Sequence, residues 1–170
     1  SIISEFIKSG LLFNENISVN TLVNIKSKKK DEIFNEAKLK LRALNGKISF
    51  DNSVFINNNI GLIEVSKSDL FLENDKLILT ANLSIDIKNT DRLFSFLNTS
   101  KNLRKDIKNI KLNITYDFLS NEIALKNIKI DDNKVSDQFL NIAEGFNDNS
   151  SNNLTKSRRL LNKLIGFYEG

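Results

Sequence analysis

The chain has no cysteine and no histidine among its 170 residues. Their absence excludes cysteine nucleophiles, histidine general bases, disulfides and the common zinc and haem ligand sets. The sequence also lacks a phosphate-binding loop, a GxGxxG motif and a Ser-His-Asp set. A Ser-Lys dyad or a carboxylate pair stays compatible with the composition, but no pattern in the sequence supports either. We therefore expect a protein that is not an enzyme and that requires neither a metal nor any other cofactor.

Proline, tryptophan and methionine are also absent, and the excess of positive charge is small. Lys and Arg number 25 against 21 Asp and Glu, and the two signs are interspersed along the chain. The clusters of Lys and Arg, at Lys28 to Lys30, around Arg104 and around Arg158, lack the interleaved aromatic residues that stack on nucleic-acid bases. No nucleic-acid partner is therefore expected, and the composition specifies no oligomeric state.

Long apolar runs are missing as well. No stretch reaches the roughly 18 to 20 apolar residues of a membrane span, and no signal peptide opens the chain. The sequence begins at Ser1 without an initiator methionine. We therefore expect a fragment of a longer protein, whose membrane anchor, if it has one, lies outside these residues.

What the sequence does contain is alternation of apolar and polar residues, which is typical of half-buried strands. It begins in the segment from Ile17 to Ile25. The longest example runs from Leu77 to Ile87, roughly eleven residues against the usual five or six. The alternation changes parity after Asn127, at Ile128 and Ile130, as a β-bulge would make it.

Three turn signals between alternating segments predict antiparallel hairpins that are apolar on one face. With Asn45-Gly46 as the loop, the expected apolar pairs are Ala43 with Ile48 and Leu41 with Phe50. With Asn74-Asp75 they are Leu72 with Leu77 and Leu70 with Leu79, while Phe71 and Ile78 meet on the opposite face. With Ser120-Asn121 they are Phe118 with Ile123 and Tyr116 with Leu125.

Three amphipathic helices are predicted between and after these strands. Thr90 or Asp91 is expected to cap the first, Ser136 to cap the second, and the third is expected to start near Thr155. Before the second helix, the acidic run from Asp131 to Asp137 lacks the central glycine and terminal glutamate of a calcium loop. Turn and capping roles are expected for it instead.

The predicted fold class is α+β, mainly antiparallel β. We expect a long twisted meander of hairpins that forms a half-open groove or a one-sided sheet, with short helices at the ends and between hairpins. The predicted divisions are a β-rich segment at 1–146, a polar linker at 147–153 and a C-terminal helix at 154–170. An ordinary α+β core, with the sheet packed on the helices, would produce the same alternation.

The order of elements from Gly46 to Asp131 resembles the C-terminal region of alphaproteobacterial AsmA-like proteins. Four segments carry the resemblance: GKISFDNSVFI at 46–56, DLFLEN at 69–74, LFSFLNTSKNLRK at 93–105 and IKLNITYDF at 110–118. The family commonly has proline near the basic turn after the aromatic helix, where this chain has Ser100.

The resemblance implies a periplasmic protein that is anchored to the inner membrane and carries phospholipid acyl chains along a β-groove between the inner and outer membranes, or supports outer-membrane assembly. The expected groove residues are Leu77, Leu79, Ala81, Leu83, Ile85, Ile87, Ile110, Leu112, Ile114 and Tyr116. For Arg158, Arg159 and Lys163 a solvated surface is the default interpretation, and contact with anionic lipid headgroups is the functional alternative. The alternative is a structural envelope scaffold with a closed core and no ligand.

Overall fold

Nine strands, three α-helices and two 3₁₀ turns make up the parts of the chain that the computed structural model describes, residues 9–27, 33–143 and 154–168. The strands are β1 (Ser18–Lys26), β2 (Glu36–Leu44), β3 (Lys47–Ser49), β4 (Val54–Asn57), β5 (Gly61–Glu73), β6 (Lys76–Ile87), β7 (Asn109–Asp117), β8 (Glu122–Ile130) and β9 (Asn133–Lys134). The helices are α1 (Thr90–Leu97), α2 (Asp137–Ala143) and α3 (Leu154–Phe167), and the 3₁₀ turns are Leu11–Phe13 and Lys101–Leu103.

The strands form a single antiparallel sheet in which neighbours in sequence are mostly neighbours in space. The order is β1-β2-β3-β5-β6-β7-β8-β9, and β4 pairs with both β2 and β5. Strands β3 and β4 thus occupy one position in the sheet as two halves of an interrupted strand. The prediction of a mainly antiparallel β fold with a few short helices is confirmed.

Serine side chains make hydrogen bonds with backbone groups where this strand is interrupted. Ser53 is only 1% exposed, and its hydroxyl accepts from the Lys40 N–H at 2.9 Å and donates to the Lys40 carbonyl at 3.3 Å. The Phe50 N–H donates to the Ser68 hydroxyl at 2.7 Å. Since β3 ends at Ser49, the predicted ladder pair of Leu41 with Phe50 is wrong, although both residues pack in the same apolar cluster.

The first two predicted hairpins are confirmed. Asn45, Gly46, Asn74 and Asp75 have φ values of 50°, 72°, 50° and 61°, as a two-residue type I′ loop requires. The observed pairs include Ala43 with Ile48, Leu70 with Leu79 and Leu72 with Leu77. Asp131 and Asp132 also have positive φ and connect β8 to β9, so this part of the acidic run forms a turn.

The third hairpin has a different register from the predicted one. Tyr116 pairs with Ile123 and Asp117 with Glu122, so the loop has four residues, 118–121. Asp117 causes the difference, because its Oδ1 accepts from the N–H groups of Leu119 at 2.8 Å and Ser120 at 3.3 Å. The register differs by an even number of residues, so Tyr116 and Ile123 still lie on the expected face.

The predicted bulge in β8 is confirmed. The register between β7 and β8 shifts between Lys111 and Asn113, and Asn127 on the bulged strand has a φ of 53°. Ile128 and Ile130 are thereby turned onto the same face as Ile123 and are 6% and 3% exposed.

The predicted N-cap is wrong for α1 and confirmed for α2. Asn89, and not Thr90 or Asp91, caps α1, since its side chain accepts from the Arg92 N–H at 3.0 Å. Ser136 caps α2 as predicted, accepting from the Phe139 N–H at 3.3 Å. Helix α3 starts at Leu154, one residue before the expected Thr155. The predicted linker at 147–153 lies outside the described residues.

Asp117 gives the fold a testable dependence on pH. Burial by itself would raise the pKa of this carboxyl, but hydrogen bonds from Leu119, Ser120 and Lys76 lower it from 3.8 to about 2. A depressed folded-state pKa stabilises the fold above the unfolded value, and that stability is lost as the pH falls from about 4 to about 2. Lys76 Nζ lies 3.2 Å from Asp117 Oδ2.

We expect Asp117→Asn, which keeps an oxygen acceptor for the turn but removes the charge, to weaken this pH dependence. The free energy of unfolding should be measured by urea titration at several values between pH 2 and pH 7. Asp69→Asn, at an exposed position on β5, is the matched control. An unchanged acid loss of stability in Asp117→Asn would show that this carboxylate does not contribute to it.

Candidate functional site

Two rows of apolar residues cross the sheet from β1 to β8 on the same face. The Ile25 row consists of cross-strand partners Ile25, Ala37, Phe55, Ile63, Ile85, Ile110 and Ile130. The Val19 row consists of cross-strand partners Val19, Ala43, Ile48, Leu70, Leu79, Tyr116 and Ile123. Each row crosses seven strands, and its only polar side-chain group is the hydroxyl of Tyr116, which donates to Asn121 Oδ1. One face of the sheet is therefore largely apolar from β1 to β8.

A second bulge keeps both rows on this face. In β5 the apolar residues occupy odd-numbered positions at Ile63 and Val65 but even-numbered positions at Leu70 and Leu72. The register with β6 shifts between Ser66 and Asp69, where β5 contains one extra residue, Lys67 having a φ of 47°. Because side chains alternate along a strand, a regular β5 would turn Ile63 and Leu70 to opposite faces.

The ten residues predicted to line the groove lie on β6 and β7, on this apolar face. Four cross-strand pairs join them: Leu79 with Tyr116, Ala81 with Ile114, Leu83 with Leu112 and Ile85 with Ile110. Leu77, which pairs with Leu72, and Ala81 are buried at 4% and 3% exposure. The other eight, including Ile87 at the end of β6, are half-buried. Their role in lipid binding stays a prediction.

Helices cover one end of the apolar face. Phe94 and Leu97 of α1, Phe139 of α2 and Leu164 of α3 form one buried cluster with Ile130 of the Ile25 row. Several half-buried residues of the face pack against this cluster: Ile87, Ile110, Leu112 and Leu125. The β7–β8 end of the Ile25 row is therefore covered by helices, which corresponds to the closed-core alternative at that end.

A smaller cluster covers the middle of the Val19 row. Ile48, Leu70 and Leu77 are buried there, and Phe13 from the first 3₁₀ turn packs against them together with Phe50. The 3₁₀ turn lies so close to the β2–β3 loop that a Cβ on Gly46 would stand 2.9 Å from the Phe13 carbonyl oxygen. Glycine is therefore required here for close approach as well as for its positive φ.

The β1–β4 end of the Ile25 row carries an open apolar depression of about 500 Å³. Its apolar walls include Phe34 and Phe55, whose ring centroids are 5.4 Å apart. The lining residues are Ile25, Ser27, Ile33, Phe34, Asn35, Glu36, Ala37 and Phe55. The volume falls within the range of small-molecule sites, and the lining is predominantly apolar, as is usual for them.

The opposite face of the sheet is mainly polar and is linked by hydrogen bonds between side chains. The Asn113 amide donates to Asn82 Oδ1, and the Asn109 amide donates to Asp86 Oδ1, both at 2.6 Å. The expected exception is present, since Phe71 pairs with Ile78 on this face and both are half-buried. Polar and apolar residues are thus largely separated between the two sides of the sheet.

The basic side of α3 is exposed at Arg159 and Lys163, in agreement with a surface location. The side chain of Arg158 lies outside the described residues.

No helix in the described ranges is both long and apolar enough to span a membrane. In those same ranges, no group of three or more acidic residues is arranged to hold a metal ion.

Sequence reasoning missed the depression because its residues come from separate segments. Ile33 and Phe34 precede β2, Ile25 is the penultimate residue of β1, and Phe55 lies on the second half of the interrupted strand. A parity signal was nevertheless present in β5, where apolar positions change from Ile63 and Val65 to Leu70 and Leu72. This signal indicates a bulge in the same way as the one recognised after Asn127.

Helix α3 is held on the rest of the helical layer by a polar contact that can be tested. The Asn162 amide donates to the Leu97 carbonyl at 2.8 Å, and its Oδ1 accepts from the hydroxyl of Thr99, which is 4% exposed. We expect Asn162→Ala to cost about 1–3 kcal/mol locally, because it leaves buried polar groups unpaired. Hydrogen exchange should accelerate in α3 and stay unchanged in β6, with Lys163→Ala as the exposed control on the same helix. Unchanged exchange in α3 would mean that this contact does not hold it.

Comparison with known proteins identifies no relative. No family model matches the chain, no curated protein matches it, and no solved structure matches it. The AsmA-like resemblance therefore stays an expectation from the sequence.

Proposed function

We propose that the apolar face binds phospholipid acyl chains and that the chain is a non-catalytic lipid-binding or conduit segment of a bacterial envelope protein. The observation that carries the proposal is the pair of unbroken apolar rows, which cross seven strands each. Many of their residues are only half-buried, including Ile85 and Leu79. An apolar surface that stays partly open in a folded protein commonly marks a site of interaction.

The dimensions of the rows fit an acyl chain. Adjacent strands lie about 4.8 Å apart, so the six spacings from β1 to β8 give each row a length of about 29 Å. The hydrocarbon core of a bilayer, which holds two leaflets of acyl chains, is about 30 Å thick. The helices cover the Ile25 row at β7 and β8, which leaves four spacings from β1 to β6, or about 19 Å, against about 15 Å for one leaflet. This part of the Ile25 row is therefore long enough for one acyl chain lying across the strands.

Binding along the rows needs no polar specificity. Each buried methylene contributes about 0.8 kcal/mol, so several methylenes on an apolar surface retain a lipid without a headgroup pocket. The depression beside Phe34 and Phe55 adds a deeper apolar site at the end that the helices leave uncovered. On this proposal, a lipid moves along the surface by exchanging equivalent apolar contacts, with no covalent step.

The cellular setting of the proposal comes from the AsmA-like resemblance. That resemblance implies a periplasmic protein, anchored to the inner membrane by a segment outside this chain, and we propose that it moves phospholipid between the two membranes or supports outer-membrane assembly. Exposed Arg159 and Lys163 on α3 support contact with anionic headgroups, since basic residues near a membrane surface are attracted to anionic lipids.

A structural scaffold is the second candidate, and a specific observation favours it. The buried cluster around Phe94 and Phe139 covers the β7–β8 end of the Ile25 row as an ordinary core would. On this alternative, the helices close the sheet enough to exclude lipid, and the uncovered residues near β1 contact another protein. The two candidates differ in whether the folded chain carries lipid.

The test is lipid extraction and native mass spectrometry of the purified chain. Leu83, half-buried in the middle of the face, is opposite Leu112 on β7 and Val65 on β5. We expect Leu83→Asp to remove most of the bound phospholipid, because a carboxylate there disrupts the apolar path between the two rows.

The matched control is Ser84→Asp. Ser84 is the next residue of β6 and lies on the polar face, opposite Lys111 on β7 and Glu64 on β5, so the new carboxylate has one neighbour of each charge and stays off the apolar face. Circular dichroism should show that both variants fold. Absence of lipid from the unsubstituted chain, or equal lipid content in folded Leu83→Asp and Ser84→Asp, would contradict the proposal and favour the scaffold.

A further inference from the structure

The two edges of the sheet differ sharply. Strand β9, at one edge, has only two residues, whereas β1, at the other, has nine and is exposed along its whole length. In the described part of the chain, β1 pairs with β2 alone, so its outer backbone N–H and carbonyl groups have no strand partner. Such groups are a template for pairing with another strand.

Strand β1 lacks the features that normally protect an edge. It has no proline, its register with β2 continues without a bulge from Ser18 to Lys26, and its only charged residue is the terminal Lys26. It also exposes large apolar side chains on both faces. These are Val19, Leu22, Val23 and Ile25, which are 39%, 58%, 43% and 48% exposed. A long edge without a bulge, whose single charge lies at its end, favours association.

When two copies of β1 are paired antiparallel, residues of similar character face each other. A two-fold axis through Leu22 places Leu22 of one copy opposite Leu22 of the other. The remaining pairs are Val19 with Ile25, Thr21 with Val23, Asn20 with Asn24 and Ser18 with Lys26. Apolar residues therefore meet apolar residues or threonine, amides meet amides, and the two lysines do not face each other.

Neighbouring registers are less favourable. A shift of the axis from Leu22 to Val23 places Leu22 opposite Asn24 and leaves Ser18 beyond the partner strand. Cross-strand pairs of like character stabilise a sheet, so the register about Leu22 is preferred.

We propose that β1 is a docking edge for a second copy of this chain, which pairs antiparallel about Leu22. A two-fold interface uses the same patch on both subunits, as this register does. Val19 and Ile25 begin the two apolar rows, so pairing them across the interface extends both rows from one copy into the other. The dimer is a single sheet with one apolar face across both copies.

The expected dimer is reversible. Stable interfaces usually bury about 800 Å² per partner, and a single strand edge supplies less than that. The dimer should therefore form with increasing protein concentration and dissociate on dilution. Sedimentation equilibrium measured from low micromolar to submillimolar protein should show an average mass that rises from one chain towards two.

The decisive variant is Leu22→Lys, which places two lysines opposite each other on the axis. Because Leu22 is 58% exposed, the substitution should leave the fold intact, and circular dichroism checks this. The control is Leu119→Lys, at an exposed leucine in the β7–β8 loop, 53% exposed and away from β1. We expect Leu22→Lys to remain monomeric and Leu119→Lys to dimerise normally.

Disulfide trapping tests the register, since the chain has no other cysteine. Leu22→Cys should form a disulfide-linked dimer under mild oxidation faster than Leu119→Cys. A chain that is monomeric at all concentrations, as expected if the edge serves a strand from another segment or protein, would overturn the proposal. A dimer that survives Leu22→Lys but is lost in Leu83→Asp would place the interface on the apolar face and would overturn it too.

Discussion

The pairing of β5 with β6 is the constraint on which both apolar rows depend. Each row crosses this hairpin, one at Ile63 and Ile85 and the other at Leu70 and Leu79. A slip of one residue would turn every side chain of one strand to the opposite face. The type I′ loop at Asn74 and Asp75 prevents that slip, because both residues adopt the positive φ that a two-residue loop requires.

Two bulges and one strand interruption keep the apolar residues of both rows on the same face of the sheet. In β1, β2, β6 and β7 the two rows are separated by an even number of residues, as regular alternation demands. In β5 and β8 a bulge supplies one extra residue between the rows, and between β3 and β4 the interruption does so. Buried Ser53 and Ser68 accept from the N–H groups of Lys40 and Phe50, so these two backbone donors are paired at the interruption between β3 and β4.

Only parts of the apolar face are covered by other segments. The covered parts resemble the closed core of a scaffold, and the open parts are available for lipid. Helices close the β7–β8 end of the Ile25 row, and the first 3₁₀ turn covers the middle of the Val19 row. Among the residues that the structure describes, none covers the region near β1, which is open. The covered parts supply the buried apolar area that stabilises the chain. The open parts are where a ligand or another copy would gain the most from binding, because their apolar surface is still in contact with water.

The sequence by itself determined the local elements: the alternating strands, the two type I′ loops, the bulge after Asn127, the Ser136 cap and the shared apolar face of β6 and β7. These features depend on residues close together in the chain, whose φ preferences and spacing act locally. The loop after Asp117 and the Asn89 cap of α1 are local too, because each side chain accepts from N–H groups two or three residues further on, but the pattern analysis missed both. The tertiary structure decided how the strands align the two apolar rows from β1 to β8. It also decided which parts of the apolar face are covered, because Phe13, Phe94 and Phe139 reach it from distant segments through packing that no local pattern encodes.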